Sequence, residues 1–154
     1  MPEDPRLTIE LVPKSCWYTN VRSNVTRAEW EICKRLVRDR SNDRCEVCGG
    51  RGTRWPVECH EIWDYDDEEC VQRLAGLTAL CPRCHEVKHI GRAEAMGHLN
   101  RALAHLATVN GWVPAVAAMY AADAFAVWRT RSKFAWTLDI SYLSEVLDPE
   151  VSHG

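Results

Sequence analysis

Two Cys-x-x-Cys pairs, Cys45–Cys48 and Cys81–Cys84, constrain this chain more than any other feature. Four thiols in two such pairs, with residues 49–80 between them, have the spacing of one tetrahedral structural zinc site, Cys45, Cys48, Cys81 and Cys84. The competing reading of the pairs is a redox dithiol or buried free thiols. Histidines stand close to both pairs: His60 lies within Glu58-Cys59-His60-Glu61, and His85 and His89 follow directly on Cys84. A purely structural zinc ribbon has no need of these extra ligating groups, so they point to a second, catalytic metal centre.

A chain of 154 residues makes one domain, or one small zinc module with helical additions. With 46% hydrophobic and 27% charged residues it reads as globular rather than disordered, and seven tryptophans supply apolar area for a core. The net charge of −3 excludes a protein that coats nucleic acid by charge alone. The distribution is uneven, however. Residues 22–54 carry nine basic and five acidic side chains, whereas residues 58–69 carry seven acidic side chains and no Lys or Arg. A local basic face can therefore meet phosphates, with a solvated surface as the alternative. Met1-Pro2-Glu3-Asp4-Pro5 is acidic and has no apolar segment of the signal-peptide kind. The most apolar stretch, 113–127, is interrupted by Asp123 and is too short for a bilayer. Eight cysteines without a leader fit a reducing compartment, so a cytoplasmic location and no membrane partner are expected.

Along the chain, the alternation over 7–12 predicts a short strand ended by Pro13, followed by an irregular segment. Thr26 and Glu29 form a capping-box pattern for a helix running to about Asp39. Its apolar stripe is Trp30, Cys33, Leu36 and Val37, and its exposed side carries Arg27, Lys34, Arg35 and Arg38. Ser41-Asn42-Asp43 breaks it, and Cys45 to Gly50 forms the first knuckle. Residues 54–65 are expected to form a short hairpin, and 66–69 a turn or helix start. Leu74 to Leu80 leads into the second knuckle, and His85 to His89 opens a helix that puts both imidazoles on one face. Helices are expected over 93–109, stopped at Asn110-Gly111, and over 114–131. Residues 136–140 read as extended, and Ser141 caps a last turn over 142–147. Cys33 and Cys70 are expected in the core, as are Trp112, Trp128 and Trp136. His98 and His105 are expected on helix surfaces, and His153 in a frayed tail.

The run Leu80-Cys81-Pro82-Arg83-Cys84-His85-Glu86-Val87-Lys88-His89, preceded by Cys45-Glu46-Val47-Cys48 and Glu58-Cys59-His60-Glu61-Ile62, resembles the HNH endonuclease family over roughly residues 27–92. The resemblance implies an α+β fold: a zinc-stapled ββα-metal core at 27–92, an N-terminal strand and irregular segment at 1–26, and a helical extension at 93–154. It further implies metal-dependent hydrolysis of DNA phosphodiester bonds in the cytoplasm of a bacterial or phage-infected cell. Structural zinc would occupy the four cysteines. A second divalent cation (Mg2+, Mn2+, Ni2+ or Zn2+) would be held by His85 and His89 with His60 or Cys59.

Two alignments onto the family's first histidine motif stay open. In one, His60 is the catalytic base and Cys59 a ligand. In the other, His60 is a ligand and Glu61 stands where the base belongs. The family's central asparagine is replaced by Gly76, with Gln72 or Asn100 as substitutes from elsewhere in the chain. Arg35, Arg38, Arg51, Arg54 and Lys88 are candidates for DNA phosphate contacts. The C-terminal helices are candidates for a homodimer or protein-partner surface. The rival function is a non-catalytic zinc module that binds DNA or protein, with His60, His85, His89 and Cys59 around a second zinc.

Overall fold

A computed structural model describes residues 5–152 of the chain, with side chains to 147. It is a mixed α+β architecture whose only sheet among the described residues has three strands. The expected strand at 7–12 is absent: the segment forms no regular element and has no partner strand. Its hydrogen bonds go to side chains about a hundred residues away. Leu7 donates its N–H to Asn110 Oδ1 and accepts from Asn110 Nδ2, both at 2.9 Å, and Ile9 donates to the Tyr120 hydroxyl. Buried backbone groups must be paired, and here polar side chains replace a ladder.

Helix α1 (Val21–Asn24) precedes α2 (Arg27–Ser41). The capping box at α2 forms as the sequence indicates, with the Thr26 hydroxyl accepting from Glu29 N–H and the Glu29 carboxylate accepting from Thr26 N–H. Asn42, in the left-handed region at φ 57°, ends it.

The hairpin is longer and later than expected. Strand β1 (Glu58–Asp66) pairs antiparallel with β2 (Val71–Leu80), and residues 67–70 form the turn between them. The stretch 74–80 is therefore strand rather than a lead-in. The pairing passes from Ile62↔Gly76 to Trp63↔Leu74, leaving Ala75 as a bulge. The bulge moves the buried positions of β2 from Leu77 and Ala79 to Leu74 and Gln72, so one face stays inward despite the two-residue period. Strand β3 (Thr137–Asp139) adds to β2 in parallel.

After β2, Cys81 caps α3 (Pro82–Lys88), which has Pro at its first turn. The helix expected at His85 thus starts three residues earlier, and His89 forms the joint to α4 (Ile90–Ala95). The long helix expected over 93–109 is split. Gly97, at φ +80°, breaks the chain between α4 and α5 (Leu99–Asn110), and Gly111 in the left-handed region stops α5. Helix α6 (Pro114–Arg131) has the expected bounds, and α7 (Leu143–Ser152) is longer than the single turn expected. No single helix among the described residues is long and apolar enough to cross a membrane.

Two apolar clusters hold these elements. One joins α3, α4, α5 and α6 with Leu7 and Ile9, and includes Cys45, Cys81 and Cys84. The other packs α2 and α7 on the inward face of the hairpin through Cys33, Val37, Trp63, Leu74, Leu77 and Leu143. Leu7, Leu80 and Leu106 are fully buried, and truncating a side chain of this kind to Ala costs about 2–5 kcal/mol. Of the three tryptophans expected in the core, Trp136 is buried, and Trp112 and Trp128 are partly so. Cys33 is buried and Cys70 is half-buried in the hairpin turn; His153 lies outside the described residues.

Candidate metal centres

The thiols of Cys45, Cys48, Cys81 and Cys84 lie within 4.8 Å of one another. Tetrahedral zinc with bonds of about 2.3 Å places its sulfurs about 3.8 Å apart. Cys48 Sγ and Cys81 Sγ stand 3.6 Å apart, so the set can hold zinc. Gly49, at φ +77°, makes the knuckle turn that aims backbone N–H groups at sulfur. Cys48 donates to Cys45 Sγ, Gly50 to Cys48 Sγ and Cys84 to Cys81 Sγ, each at 3.4 Å. The Cys84 thiol and the backbone N–H groups of Cys48, Cys81 and Val47 lower Cys45 against its burial, favouring the thiolate form that a metal takes. Cys84, sharing its proton with Cys45, is pushed up, and burial raises Cys81 to about 11. The knuckle is tied to the sheet through Glu46, whose carboxylate accepts from Ala79 N–H at 2.9 Å and from Arg40 Nη2 at 2.6 Å. Arg40 Nη2 also reaches the Leu77 carbonyl.

The sequence placed His105 on a helix surface. Instead its Nε2 lies 3.2 Å from Cys84 Sγ, so it is the side-chain neighbour that orients a zinc thiolate. The contact crosses from α5 to α3, and nothing local in the sequence signals it. His98 is exposed at the start of α5, as expected.

The second cluster is formed by His60 on β1 with His85 and His89 at the two ends of the last turn of α3. One ring nitrogen of each lies within 4.8 Å of the others. His85 Nε2 and His89 Nε2 stand 3.1 Å apart. Two lone pairs at that distance repel unless a proton or cation lies between them. Nitrogens bound tetrahedrally at about 2.0–2.1 Å lie about 3.3 Å apart, so the three rings fit a divalent ion with a coordination position to spare. Glu58 sets the tautomer: its carboxylate accepts from His85 Nδ1–H, leaving Nε2 with a free lone pair. Burial, then the His85 and His89 charges, lower His60 to about 2; burial and His85 lower His89, the most open of the three, to about 4. Both rings are thereby kept neutral, the form that ligates metal or accepts a proton.

Cys59 and Glu61 do not join this cluster. Side chains alternate across a strand, so Glu58 and His60 share one face and Cys59 and Glu61 the other. Glu61 accepts from Val21 N–H at 2.8 Å, and its carboxyl is raised by burial. Cys59 is pushed up to about 12 by burial, then by Cys33 and Glu61. Glu58 was present in the motif but not assigned a role, although its two-residue spacing from His60 was the available signal.

The basic candidates are dispersed. Arg38 pairs with Asp43 at 2.9 Å and Arg51 bonds the Asp43 carbonyl, both beside the knuckle. Arg54 lies over the Trp55 ring, and Arg35 is exposed. Lys88 is locked inward, donating to Thr8 Oγ1 at 2.7 Å and Glu10 Oε2 at 2.9 Å. It fastens the N-terminal segment beside His89 and is not free to meet a phosphate.

His60 and His89 also line a cavity of about 830 Å³, which extends past Lys88 to Trp17, Gln72 and Trp128. Compared with protein-family models, curated proteins and solved structures, the chain matches none.

Proposed function

We propose that the three-histidine cluster is the metal-dependent active site of an HNH-type endonuclease, hydrolysing phosphodiester bonds in DNA on a ββα-metal core. The observation that carries this reading is the meeting of His60, His85 and His89 on a hairpin-and-helix unit laid against the four-cysteine knuckle. His85 and His89, with their Nε2 atoms 3.1 Å apart, are assigned as ligands of the ion. His60, on the facing strand, completes the set or acts as base. A divalent cation held there supplies Lewis acidity to the scissile phosphate and lowers the pKa of water.

The remaining steps belong to the chain. Glu58 fixes the His85 ring. In the base role His60 takes the proton of the water that attacks phosphorus as the bond to the leaving oxygen breaks; because burial disfavours its protonated form, that role requires the charge developing on the phosphate to stabilise the imidazolium. Glu61, on the other face of the strand and holding Val21, is not assigned this role. Exposed Arg35 and Arg54, with Arg38 and Arg51 at the knuckle, are assigned to the phosphates of neighbouring nucleotides.

Supercoiled plasmid, incubated with zinc-loaded protein and Mg2+, Mn2+, Ni2+ or added Zn2+, tests this. Cutting is expected from the parent. His60→Ala and His85→Ala should lower the rate by about a hundredfold or more, and Glu58→Gln by about 10–100-fold. A folded, zinc-loaded parent that cuts with none of these ions refutes the nuclease. Gly76, in place of the asparagine of the resembling family, together with the short His85–His89 separation, favours one alternative, a binding module with a second structural zinc. Two tightly held zinc ions per chain and no cutting are its signature.

A further inference from the structure

The loop between the first knuckle and β1, residues 49–57, carries two arginines and no acidic side chain. It also carries Trp55, at 63% the most exposed of the seven tryptophans. Trp55 joins neither apolar cluster, and the Arg54 guanidinium lies over its ring, 5.9 Å from the centroid. A tryptophan left mostly in water gives up the apolar burial that the other six contribute to the fold. The loop that presents it is nevertheless pinned. Gly52 donates its N–H to the Pro56 carbonyl at 3.0 Å, and a Cβ at Gly52 would meet the Pro82 ring at 2.8 Å and the Trp55 carbonyl. The loop therefore lies against the first turn of α3, the helix that carries His85. Four exposed arginines surround it: Arg44, Arg51, Arg54 and Arg83. Arg44 and Arg51 donate to the carbonyls of Gly49 and Asp43, contacts that leave their charge uncancelled. The acidic side chains of this region are already engaged, Asp43 by Arg38, Glu46 by Arg40, and Glu86 by Arg101 as well as Arg83. The patch is thus positive, with a bare aromatic face in its middle.

Resting on the nuclease reading of the histidine centre, we infer that this knuckle loop is a DNA-docking surface on which the Trp55 indole stacks against an unstacked base, with Arg44, Arg51, Arg54 and Arg83 on the flanking phosphates. Phosphates answer the arginines, and a base answers the indole; one ligand supplies both. Every base has an aromatic face, so the contact is indifferent to sequence. It selects instead DNA whose stacking is already broken, because extruding a base from an intact duplex costs free energy. The chain itself limits the distance to the cut. Trp55 stands five residues from His60, a span of at most about 18 Å. At 3.4 Å per step of duplex, the stacked base lies within about five steps of the cleaved linkage.

The test uses the zinc-loaded full chain without added catalytic metal. Fluorescence anisotropy reads its binding to two labelled duplexes that carry one bulged nucleotide, an adenine in the first and an abasic residue in the second. The two have the same backbone and charge. The adenine bulge is expected to bind at least about fivefold tighter. Trp55→Ala should abolish that ratio and Trp55→Phe should keep most of it. Salt separates the indole from the cations: Arg44→Ala or Arg83→Ala should lower the slope of log affinity against log salt by about one, whereas Trp55→Ala leaves it unchanged. An unchanged melting temperature shows that Trp55→Ala folds as the parent does. Equal binding of the two bulges overturns the inference, and marks a positive surface that serves any acidic partner. A Trp55→Ala protein that keeps the parent's ratio overturns it too. Plasmid cutting without a base-dependent ratio removes the docking surface and leaves the nuclease; a Trp55-dependent ratio without cutting keeps the surface and removes the nuclease.

Discussion

Cys84 and His85 are neighbours on α3, yet they serve two centres of opposite character. Successive residues on a helix point about 100° apart, so one short helix presents a thiol inward to the knuckle and an imidazole to the histidine cluster. In the knuckle, three of the four cysteines are buried and sulfurs receive backbone N–H groups. The histidine centre has no such enclosure: two of its three rings line an open cavity, and its fixed partner is a single carboxylate. A filled, enclosed ligand set suits a structural ion, whereas three ligands beside a cavity leave room for a substrate. The dependence is one-way, because α3 and the end of β2 are held by the knuckle before the histidines can meet.

That asymmetry predicts the largest effect in the molecule. Zinc held by four thiolates contributes an apparent 10–16 kcal/mol in small zinc modules, as much as the whole stability of an ordinary domain, about 5–15 kcal/mol. Stripping zinc with a chelator, or replacing Cys84 by Ser, is expected to abolish the near-ultraviolet circular dichroism of the packed tryptophans and the metal binding of the histidines together. His85→Ala should remove only the second metal and leave that spectrum in place. If chelated protein keeps its tertiary spectrum, the hierarchy between the centres is wrong.

Acid separates the two regions by a smaller amount. His60 titrates near 6.5 when unfolded, but in the folded chain it is held down to about 2. As pH falls below 6.5 the unfolded state therefore gains a proton that the folded state refuses, and stability present at neutral pH is progressively lost. Between pH 6.5 and 5.5 this amounts to about 1 kcal/mol for His60, with His89 acting in the same direction. The melting temperature of the zinc-loaded protein should fall over this window, and His60→Asn should flatten the fall. Parallel slopes in parent and variant would mean that the acid response belongs to the knuckle thiolates, which both proteins share.

The knuckle was legible because its information is local: three-residue spacings, a glycine turn, and a capping box on the preceding helix. His85 and His89 were legible for the same reason, being four apart on one helix. His60 entered through the resemblance of its motif. What escaped the sequence depends on contacts between distant segments. Leu7 to Val12 has a strand's alternation, but its partners are the side chains of Asn110 and Tyr120. His105 reaches Cys84 from another helix. Gln72 became buried only because the Ala75 bulge shifted the inward face of β2 by one residue. Glu61 shows the limit of motif matching. The two-residue period of a strand already separates it from His60, but a motif alignment does not weigh period.

Gly76 tests how complete the histidine centre is, with the smallest effect on the fold. It pairs with Ile62, one step along the ladder's face from His60↔Thr78, and an added Cβ there meets only Ile62 Cδ1, at an ordinary 3.7 Å. A side chain therefore fits on the face that His60 occupies. Gly76→Ala should stabilise the strand by about 0.5–1 kcal/mol, since glycine inside a strand loses the most freedom on folding. Gly76→Asn differs from it by one carboxamide, so the ratio of their plasmid-cutting rates isolates that group from the backbone effect. At least about tenfold faster cutting by the asparagine protein is expected if the carboxamide supports the ring or the ion as neighbouring groups of metal sites do. Equal rates in the two variants would place the whole of the activity on His60, His85, His89 and Glu58, and make the glycine a feature of the strand alone.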